Sequence, residues 1–428
     1  MRSTDAEFRT QKYLKNYAEL EARASFTDRG HRHGLVVPAY GEGARVLDAI
    51  DSVRCARTVL VVVVLNARAS SEPWVHAANE ETRRILRFRF GRAVPFEDFE
   101  YMSHRPTSFG SLVLIDRATS ATFLPERQGV GLARKIGGDF LLSVCRSGTV
   151  DEPCIRFTDA DAELPCDYFD RTGLDAAAAI FPFQHRAVSG SPDDAIFAYE
   201  IELRYLVLGL RVAGSPYAFH NIGSTIAVDG HAYAAVRGVP KRAAAEDFYL
   251  LNKLAKIGPV VTLGGAPIRL SGRVSQRVPF GTGAAMAKMR AAGTTPEQRV
   301  LYHPDVFVAL KALMNTIARC AESEHDPEEV LRSELGCLYS DFGQPVIESG
   351  ALSTIRDARR RTSGASRIAR RIHTEFDAFR TIKLLHRWRD TSRASIPLRD
   401  ALRAADFVPA DGAGRLERLA QALSDAEK

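Results

Sequence analysis

One short aliphatic run sets the first limit on what this chain can fold into. Val59–Leu65 is seven residues long and rich in β-branched side chains, and it is the longest purely aliphatic segment among the 428 residues. A membrane-spanning helix takes about 20 apolar residues, so the run is predicted to be a buried β-strand. The polar start of the chain has no apolar stretch typical of a secretory signal. A cytoplasmic protein without an integral membrane segment is expected.

Short apolar runs alternate with amphipathic stretches through the first half of the chain. Such alternation is typical of βαβ units that build a mostly parallel sheet. Strands are predicted at 34–38, 59–65, 111–116, 155–158 and 177–183. Residues 91–110 show no periodicity and are expected to form a surface loop. The later pattern is almost wholly helical, with helices predicted at 307–321, 328–335, 355–371 and 376–389.

The length of the chain favours more than one folding unit. The pattern predicts an N-terminal helical extension (1–30), an α/β domain (31–285) and a helical, Arg-rich C-terminal region (286–428). Residues 351–400 hold 13 Lys and Arg against 5 Asp and Glu. Such a segment either contacts an anionic surface or forms solvated helix faces.

Six cysteines are scattered along the chain without a CxxC pair. Their spacing argues against a structural zinc site and against a disulfide scaffold. Reduced, mostly buried thiols are therefore expected.

Two aspartates follow the strand predicted at 155–158. Side chains two apart in an extended chain point the same way, so Asp159 and Asp161 can together offer hard oxygen ligands to Mg²⁺ or Mn²⁺. Because Asp also favours turns, a polar exit from the strand is the alternative.

A second acidic pair, Glu246 and Asp247, stands at the start of an amphipathic helix. Carboxylates there are stabilised by the helix dipole and by free N–H groups, so capping explains them. In the functional alternative, one of the pair is a general base for an acceptor hydroxyl.

Two glycine-containing segments carry positive charge. Residues 129–138 open a helix and supply Arg134 and Lys135, but they match neither the dinucleotide fingerprint nor a phosphate-binding Walker loop. Arg273 and Arg277 lie in a second loop, where glycines allow close backbone approach. Each segment is either a phosphate contact or an ordinary basic loop.

Taken in order, several motifs carry a resemblance to a known family. They are PAYGE at Pro38–Glu42, GLARKIGGDFLL, DAD, HNIGSTIAVDGHAY and AEDFYLL. Over about residues 34–283 the chain resembles the inverting GT-A glycosyltransferases of family 2. The resemblance implies a GT-A (Rossmann-like) domain that transfers a sugar from a nucleotide-diphospho-sugar to a hydroxyl acceptor, using Mg²⁺ or Mn²⁺. The QxxRW motif of processive members is absent, which favours single addition.

The same resemblance assigns roles to individual residues. Asp247 is implied as the catalytic base beside Glu246, and Asp161 as the metal ligand with Asp159. Asn66 stands where the family usually has an Asp that reads the base, which leaves the donor base open. Donor contacts are implied for Pro38, Ala39, Tyr40, Glu42, Asn66, Arg134, Lys135, Asp159, Arg273 and Arg277. Acceptor contacts are implied for His220, Asn221, Gly223 and Ser224.

Two other functions stay open at this level. A sugar nucleotidyltransferase shares this kind of sheet, but it normally has a basic, Gly-rich segment directly after the first strand. Here the residues between that strand and Arg45 include no Lys or Arg. A nucleic-acid or anionic-surface binding module would use the basic C-terminal helices, although few aromatic residues interleave with their arginines. The transferase hypothesis requires the 159/161 pair and the 246/247 pair to meet in one cleft. The donor sugar, the acceptor and the oligomeric state are not determined by the sequence.

Overall fold

The computed structural model describes residues 2–171, 175–186, 193–273, 282–292, 295–409 and 413–427. Its contacts divide the chain into two units. The α/β unit comprises 1–186, 221–272 and 276–281, and the helical unit comprises 187–220, 273–275 and 282–428. Residues 187–220, which the sequence pattern placed in the first domain, therefore group with the helical unit.

The α/β unit contains a nine-stranded sheet in the order β10-β7-β9-β6-β1-β2-β5-β4-β3 and a separate β11-β8 pair. Their bounds are β1 His33–Ala39, β2 Val59–Asn66, β3 Val94–Pro95, β4 Met102–Thr107, β5 Gly110–Arg117, β6 Cys154–Phe157, β7 Ala178–Ile180, β8 Phe183–Arg186, β9 Ile226–Asp229, β10 Val260–Thr262 and β11 Ile268–Ser271. The helices of this unit are α1 Arg2–Asn16, α2 Val46–Ser52, α3 Pro73–Phe90, α4 Val130–Arg146, α6 Gly230–Ala235 and α7 Glu246–Leu254.

The helical unit holds ten helices and the short antiparallel pair β12-β13 within its described residues. Its elements are α5 Asp193–Val212, α8 Thr282–Ala292, β12 Val300–Leu301, α9 Asp305–Glu322, α10 Pro327–Leu335, α11 Tyr339–Glu348, α12 Ala351–Arg361, α13 Ala365–Glu375, α14 Ala378–Thr391, β13 Ile396–Pro397, α15 Leu398–Ala404 and α16 Leu416–Ala426. One apolar core joins α5 to α9–α16 and includes the fully buried Trp388.

The aliphatic strands form the centre of the sheet. Every residue of β1 and β2 is buried, as expected for parallel strands covered on both faces. β1 pairs in parallel with β2 on one side and with β6 on the other, and β2 pairs in parallel with β5. The predicted fold class, an α/β domain with a mixed, mostly parallel sheet and a C-terminal helical region, is confirmed.

Three local expectations are wrong. Residues 91–110 are not all loop, because β3 and β4 add antiparallel strands to the edge formed by β5. The helix predicted at 355–371 is two helices, separated where Gly364 adopts a φ of 90°. Cys55 and Cys166 form a disulfide with their Cα atoms 5.3 Å apart, whereas the other four cysteines are free.

Much of the positive charge predicted at 351–400 is neutralised within the helical unit. Ion pairs to Asp or Glu are made by Arg356, Arg359, Arg360, Arg371, Arg387, Arg389 and Arg393. Solvated helix faces with internal pairing therefore explain most of the segment, and contact with an anionic surface through it stays a prediction. Among the described residues, no helix combines the length and apolarity needed to cross a membrane.

Candidate active site

The candidate site lies at the carboxyl ends of the central parallel strands. The chain passes from β1 to β2 on one side of β1 and later reaches β6 on the other side. Ligands of open α/β sheets bind in the crevice outside the strand ends where the order reverses in this way. The loop after Ala39 and the Asp159 segment leave adjacent strands at this crevice.

The loop after β1 is held by amide side chains. Asn66, which is buried, donates from Nδ2 to the Ala39 carbonyl oxygen at 2.8 Å. Asn79 accepts from the Gly41 N–H at 2.9 Å, and Tyr40 donates from its hydroxyl to Ser71 Oγ at 3.1 Å. The Nδ2 group of Asn66 thus ties two strand ends together, and the donor contact predicted for this residue stays a prediction.

The other predicted donor contacts of this loop differ in exposure. Pro38 and Ala39 are buried within β1, whereas Tyr40 and Glu42 are half-buried beyond its end. Only the latter two side chains are partly open to solvent, so the donor contact predicted for the segment would fall mainly to them.

Helix α4 brings its amino terminus to the same edge of the sheet. Its first turn packs closely on the segment before α7, where Gly131 donates from N–H to the Arg242 carbonyl oxygen at 3.2 Å. A Cβ at residue 131 would collide with the carbonyl oxygens of Pro240 and Arg242, so this approach requires glycine. The positive end of the helix dipole therefore lies beside the acidic pairs.

Arg134, in the first turns of α4, joins the two predicted acidic pairs. Its buried guanidinium donates to Asp159 Oδ1 at 2.5 Å and to Glu246 Oε1. Burial lowers the pKa of Arg134, but the charges of Asp159 and Glu246 raise it, and the net direction is upward. The 159/161 and 246/247 segments, 85 or more residues apart in sequence, thus meet at one cationic side chain.

Gly223 lies directly against the guanidinium group of Arg134. A Cβ at this position would fall on the guanidinium carbon and nitrogens of Arg134. Asn221 and Ser224 flank it, and Ser224 is fully buried while Asn221 is exposed. The segment predicted to contact an acceptor therefore borders the charged cluster, and its role stays a prediction.

Asp247 has a perturbed acidity. Burial, followed by the negative charge of Glu246, raises its pKa to about 6, although Arg134 opposes the shift. Its Oδ1 accepts from the Phe248 N–H at 2.7 Å, and no ion pair is recorded for it among the described residues. A carboxyl group with a pKa close to neutrality, beside a fixed cation, suits proton abstraction.

The backbone directly before the acidic pair is strained. Ala245 adopts a φ of 59°, which a side chain with a Cβ rarely occupies. Strain of this kind costs on the order of 1–3 kcal/mol and concentrates at functional sites. The strained turn starts α7 at Glu246 and so sets the position of both carboxylates.

The surroundings of Asp161 are acidic. Burial raises the pKa of Asp48, and the charges of Glu163 and Asp161 raise it further. Asp159, the other half of the predicted metal pair, is bound by Arg134 instead. Within the described residues no group of three His, Cys, Asp or Glu side chains is arranged to hold a metal ion. The described residues therefore give no direct support to the metal site predicted at Asp159 and Asp161, and the role of Asp161 stays a prediction.

Lys135 does not face the same way as Arg134. Its ammonium is buried and lies 2.9 Å from Asp139 Oδ2. Tyr13 and Tyr233 donate from their hydroxyls to Asp139 Oδ1 at 2.5 and 2.9 Å. This network fastens α1 to α4, and it leaves the predicted donor contact of Lys135 without structural support.

The structure does not group three further predicted residues with this cluster: two belong to the helical unit and one is not described. His220 belongs to the helical unit, where it is buried and its Nε2 lies 2.8 Å from Glu427 Oε1. Arg273 groups with the helical unit and is half-buried. Arg277 lies outside the described residues.

Sequence reasoning did not identify the roles of Asn79 and Asp48 or the close approach at Gly131. Each depends on a contact with, or a charge from, a distant segment, such as the bond between Asn79 and the loop after β1. A glycine at the first turn of a helix was the one available hint of a close approach.

Comparison with known proteins finds only weak structural similarity. No protein-family model matches the sequence, and no curated protein matches it. Residues 1–349 of S. aureus TarS, in complex with UDP-GlcNAc, are 10% identical with a TM-score of 0.35, over 84% of this chain and 90% of that chain. The mannosyltransferase PcManGT from Pyrobaculum calidifontis, in complex with GDP-Man and Mn²⁺, is 17% identical with a TM-score of 0.37, over 89% and 92%. Likenesses this weak leave the family of the chain open.

Proposed function

We propose that this chain is a glycosyltransferase that moves a sugar from a nucleotide-diphospho-sugar to a hydroxyl acceptor, with inversion and a single addition. The observation that carries the proposal is the meeting of Asp159, Glu246 and Asp247 around Arg134. The cluster lies at the sheet edge where α/β folds bind nucleotides. It combines a cation for phosphate with a base of suitable acidity.

Arg134 supplies the fixed positive charge. Asp159 and Glu246 hold its guanidinium in place, so no reorganisation is needed when negative charge develops on the leaving diphosphate. The amino terminus of α4 adds the favourable end of a helix dipole at the same place.

Asp247 acts as the general base. With a pKa of about 6 it is ionised at neutral pH and accepts the proton of the acceptor hydroxyl. The hydroxyl oxygen then forms a bond to the anomeric carbon while the bond from that carbon to the diphosphate oxygen breaks. Attack from the face opposite the leaving group inverts the anomeric configuration.

Asp161 is the residue proposed to hold Mg²⁺ or Mn²⁺. A divalent ion there would neutralise charge on the diphosphate. The charge of nearby Asp48 favours a cation in this part of the site, whereas Glu163 is already paired with Arg186.

The proposal is tested by binding and transfer measured on the same preparations. Nucleotide diphosphates and their sugars are screened by thermal shift with and without Mn²⁺, and a specific donor raises the melting temperature by mass action. Nucleotide release with the selected donor then measures turnover. Asp247→Asn is expected to retain donor binding and to lose about 10²–10⁴-fold in turnover.

The variant Asp161→Asn tests the proposed metal site independently of the proposed general base. It is expected to abolish the Mn²⁺-dependent part of the thermal shift while the fold is retained. Glu163→Gln, in the same loop region, is the matched control and should keep most of that shift. A donor panel without any metal-dependent binder, or an Asp247→Asn variant with full turnover, would refute the proposal.

A further inference from the structure

A second charged surface lies on the outer side of α3, away from the candidate active site. The ring of Phe90 at the end of α3 packs 6.3 Å from that of Phe109, which directly precedes β5. The end of α3 therefore lies at the amino-terminal edge of the parallel strands. The candidate active site lies at the opposite, carboxyl-terminal edge, so the two surfaces do not overlap.

The centre of this surface is an aromatic side chain in water. Phe88 is 92% exposed, the largest fraction recorded for a large apolar side chain of the described residues. The buried positions of α3, such as Val75, Thr82 and Leu86, lie on its other face. Single exposed apolar side chains are common on protein surfaces, so the ring indicates a contact only together with the charges around it.

Basic side chains surround this ring. Arg84 lies four residues before Phe88 on the same helix face, Arg87 is its exposed neighbour in sequence, and Arg92 follows just beyond the helix end. All three are exposed, and no ion pair is recorded for them among the described residues. Burial lowers the pKa of nearby Arg105, and the charge of Arg87 lowers it further, so positive charge accumulates here.

An open hollow lies at the same end of α3, with Phe90 in its lining. It has a volume of about 520 Å³, and it is also lined by Asp51 and Arg89, which lie 3.6 Å apart. Thr107 Oγ1 is buried and has no hydrogen-bond partner among the described residues. Because the Asp51 carboxylate lies in the hollow and pairs with Arg89, the contact with phosphate falls to the exposed arginines of the helix and not to the hollow.

We propose that Arg84, Arg87, Phe88 and Arg92 form a docking surface for a bilayer that contains anionic lipids, with the three arginines beside the headgroup phosphates. A protruding aromatic ring within a basic surround inserts at the headgroup level while the cations remain near the lipid phosphates. Single-stranded nucleic acid would instead need a groove with several stacking rings. A convex helix end with one ring matches a flat bilayer better.

The proposal is tested by sedimentation of the full-length protein with vesicles. Phosphatidylcholine vesicles are compared with vesicles of phosphatidylcholine and phosphatidylserine, at low and high salt. The wild type is expected to bind only the anionic vesicles, and binding should weaken as salt rises. Arg84→Gln/Arg87→Gln/Arg92→Gln should lower the partition coefficient on the order of 100-fold, and Phe88→Ser about tenfold.

A matched control removes the same charge from the other basic region. Arg361→Gln/Arg367→Gln/Lys383→Gln changes three exposed cations of the helical unit and is expected to leave binding unchanged. Phe88→Trp should gain quenching by brominated lipids over the wild type, which reports insertion of residue 88 itself. Circular dichroism and thermal melts verify that each variant is folded.

Three results would overturn the assignment. The first is a wild type that does not sediment with anionic vesicles. The second is equal binding by the α3 triple variant and the control triple variant. The third is binding to a single-stranded oligonucleotide that depends on Arg84, Arg87 and Arg92 while vesicles are not bound, which would assign the surface to nucleic acid.

Discussion

Arg134 and Glu246, 112 residues apart in sequence, form a buried ion pair at the start of two helices. The pair fixes the first turn of α4 against the first turn of α7. It also leaves the neighbouring carboxyl group, Asp247, without an ion pair among the described residues and with a raised pKa. One interaction thereby positions both the proposed cation and the proposed base.

Loss of the Arg134 charge should cost stability as well as activity. Arg134→Met leaves the buried Glu246 carboxylate without its cation, which lowers the free energy of unfolding by about 3–5 kcal/mol. Urea denaturation followed by circular dichroism measures the change. In Arg134→Met/Glu246→Gln both charges are removed, and the double variant should recover about 1–3 kcal/mol relative to the sum of the single changes. Strict additivity of the two changes would contradict the pairing.

Turnover should depend on pH through Asp247. The general base must be ionised, so kcat/KM is expected to rise about tenfold per pH unit below the pKa of about 6 and to level off above it. A pH profile of nucleotide release measures this. A profile that stays flat from acid to neutral pH would exclude Asp247 as the base.

The Asp247 carboxyl group should also lower the free energy of unfolding at neutral pH. Its folded pKa lies above the ordinary value of 3.8, so the protonated form stabilises the fold, and this contribution is lost as pH rises through about 6. Asp247→Asn is therefore expected to be more stable than the wild type at pH 8, by about 1–2 kcal/mol after allowance for solvent screening, and not at pH 4. Paired urea titrations at the two pH values measure the difference.

Gly223 should be intolerant of a side chain. In Gly223→Ala the new Cβ falls on the Arg134 guanidinium, which is already held by two carboxylates. We expect a loss of about 1–3 kcal/mol in unfolding free energy and of about 100-fold in turnover. Gly264→Ala, where a Cβ would meet nothing, is the control. Equal behaviour of the two variants would show that Arg134 has room to move.

Lys135 should matter for folding and not for the donor. Lys135→Met leaves the buried Asp139 carboxylate unpaired and is expected to cost about 3–5 kcal/mol of stability. Donor affinity of the folded protein, measured by calorimetry below the melting temperature, should match the wild type. If the affinity fell while stability was kept, Lys135 would be a donor ligand after all.

The central sheet could be predicted because the apolar pattern of its strands is visible in the local sequence. The run at β2 is apolar at every position, and such a run is stable only when both faces of the strand are covered. By contrast, β3 and β4 were missed. They are short or partly exposed, and the pairing of β4 with β5 stabilises them more than their own pattern does.

The sequence by itself determined the α/β class, the helical C-terminal region and which segments carry acidic and basic groups. It could not decide which of the adjacent residues Arg134 and Lys135 faces the acidic pairs, because neighbours on a helix point about 100° apart and both are cations. Only the tertiary structure shows that Arg134 faces the acidic pairs. Its partner Glu246 is 112 residues away in sequence, and Tyr13, the partner of Lys135, is 122 residues away. Local periodicity shows which face of a helix is buried, but the partner of a buried charge depends on long-range packing.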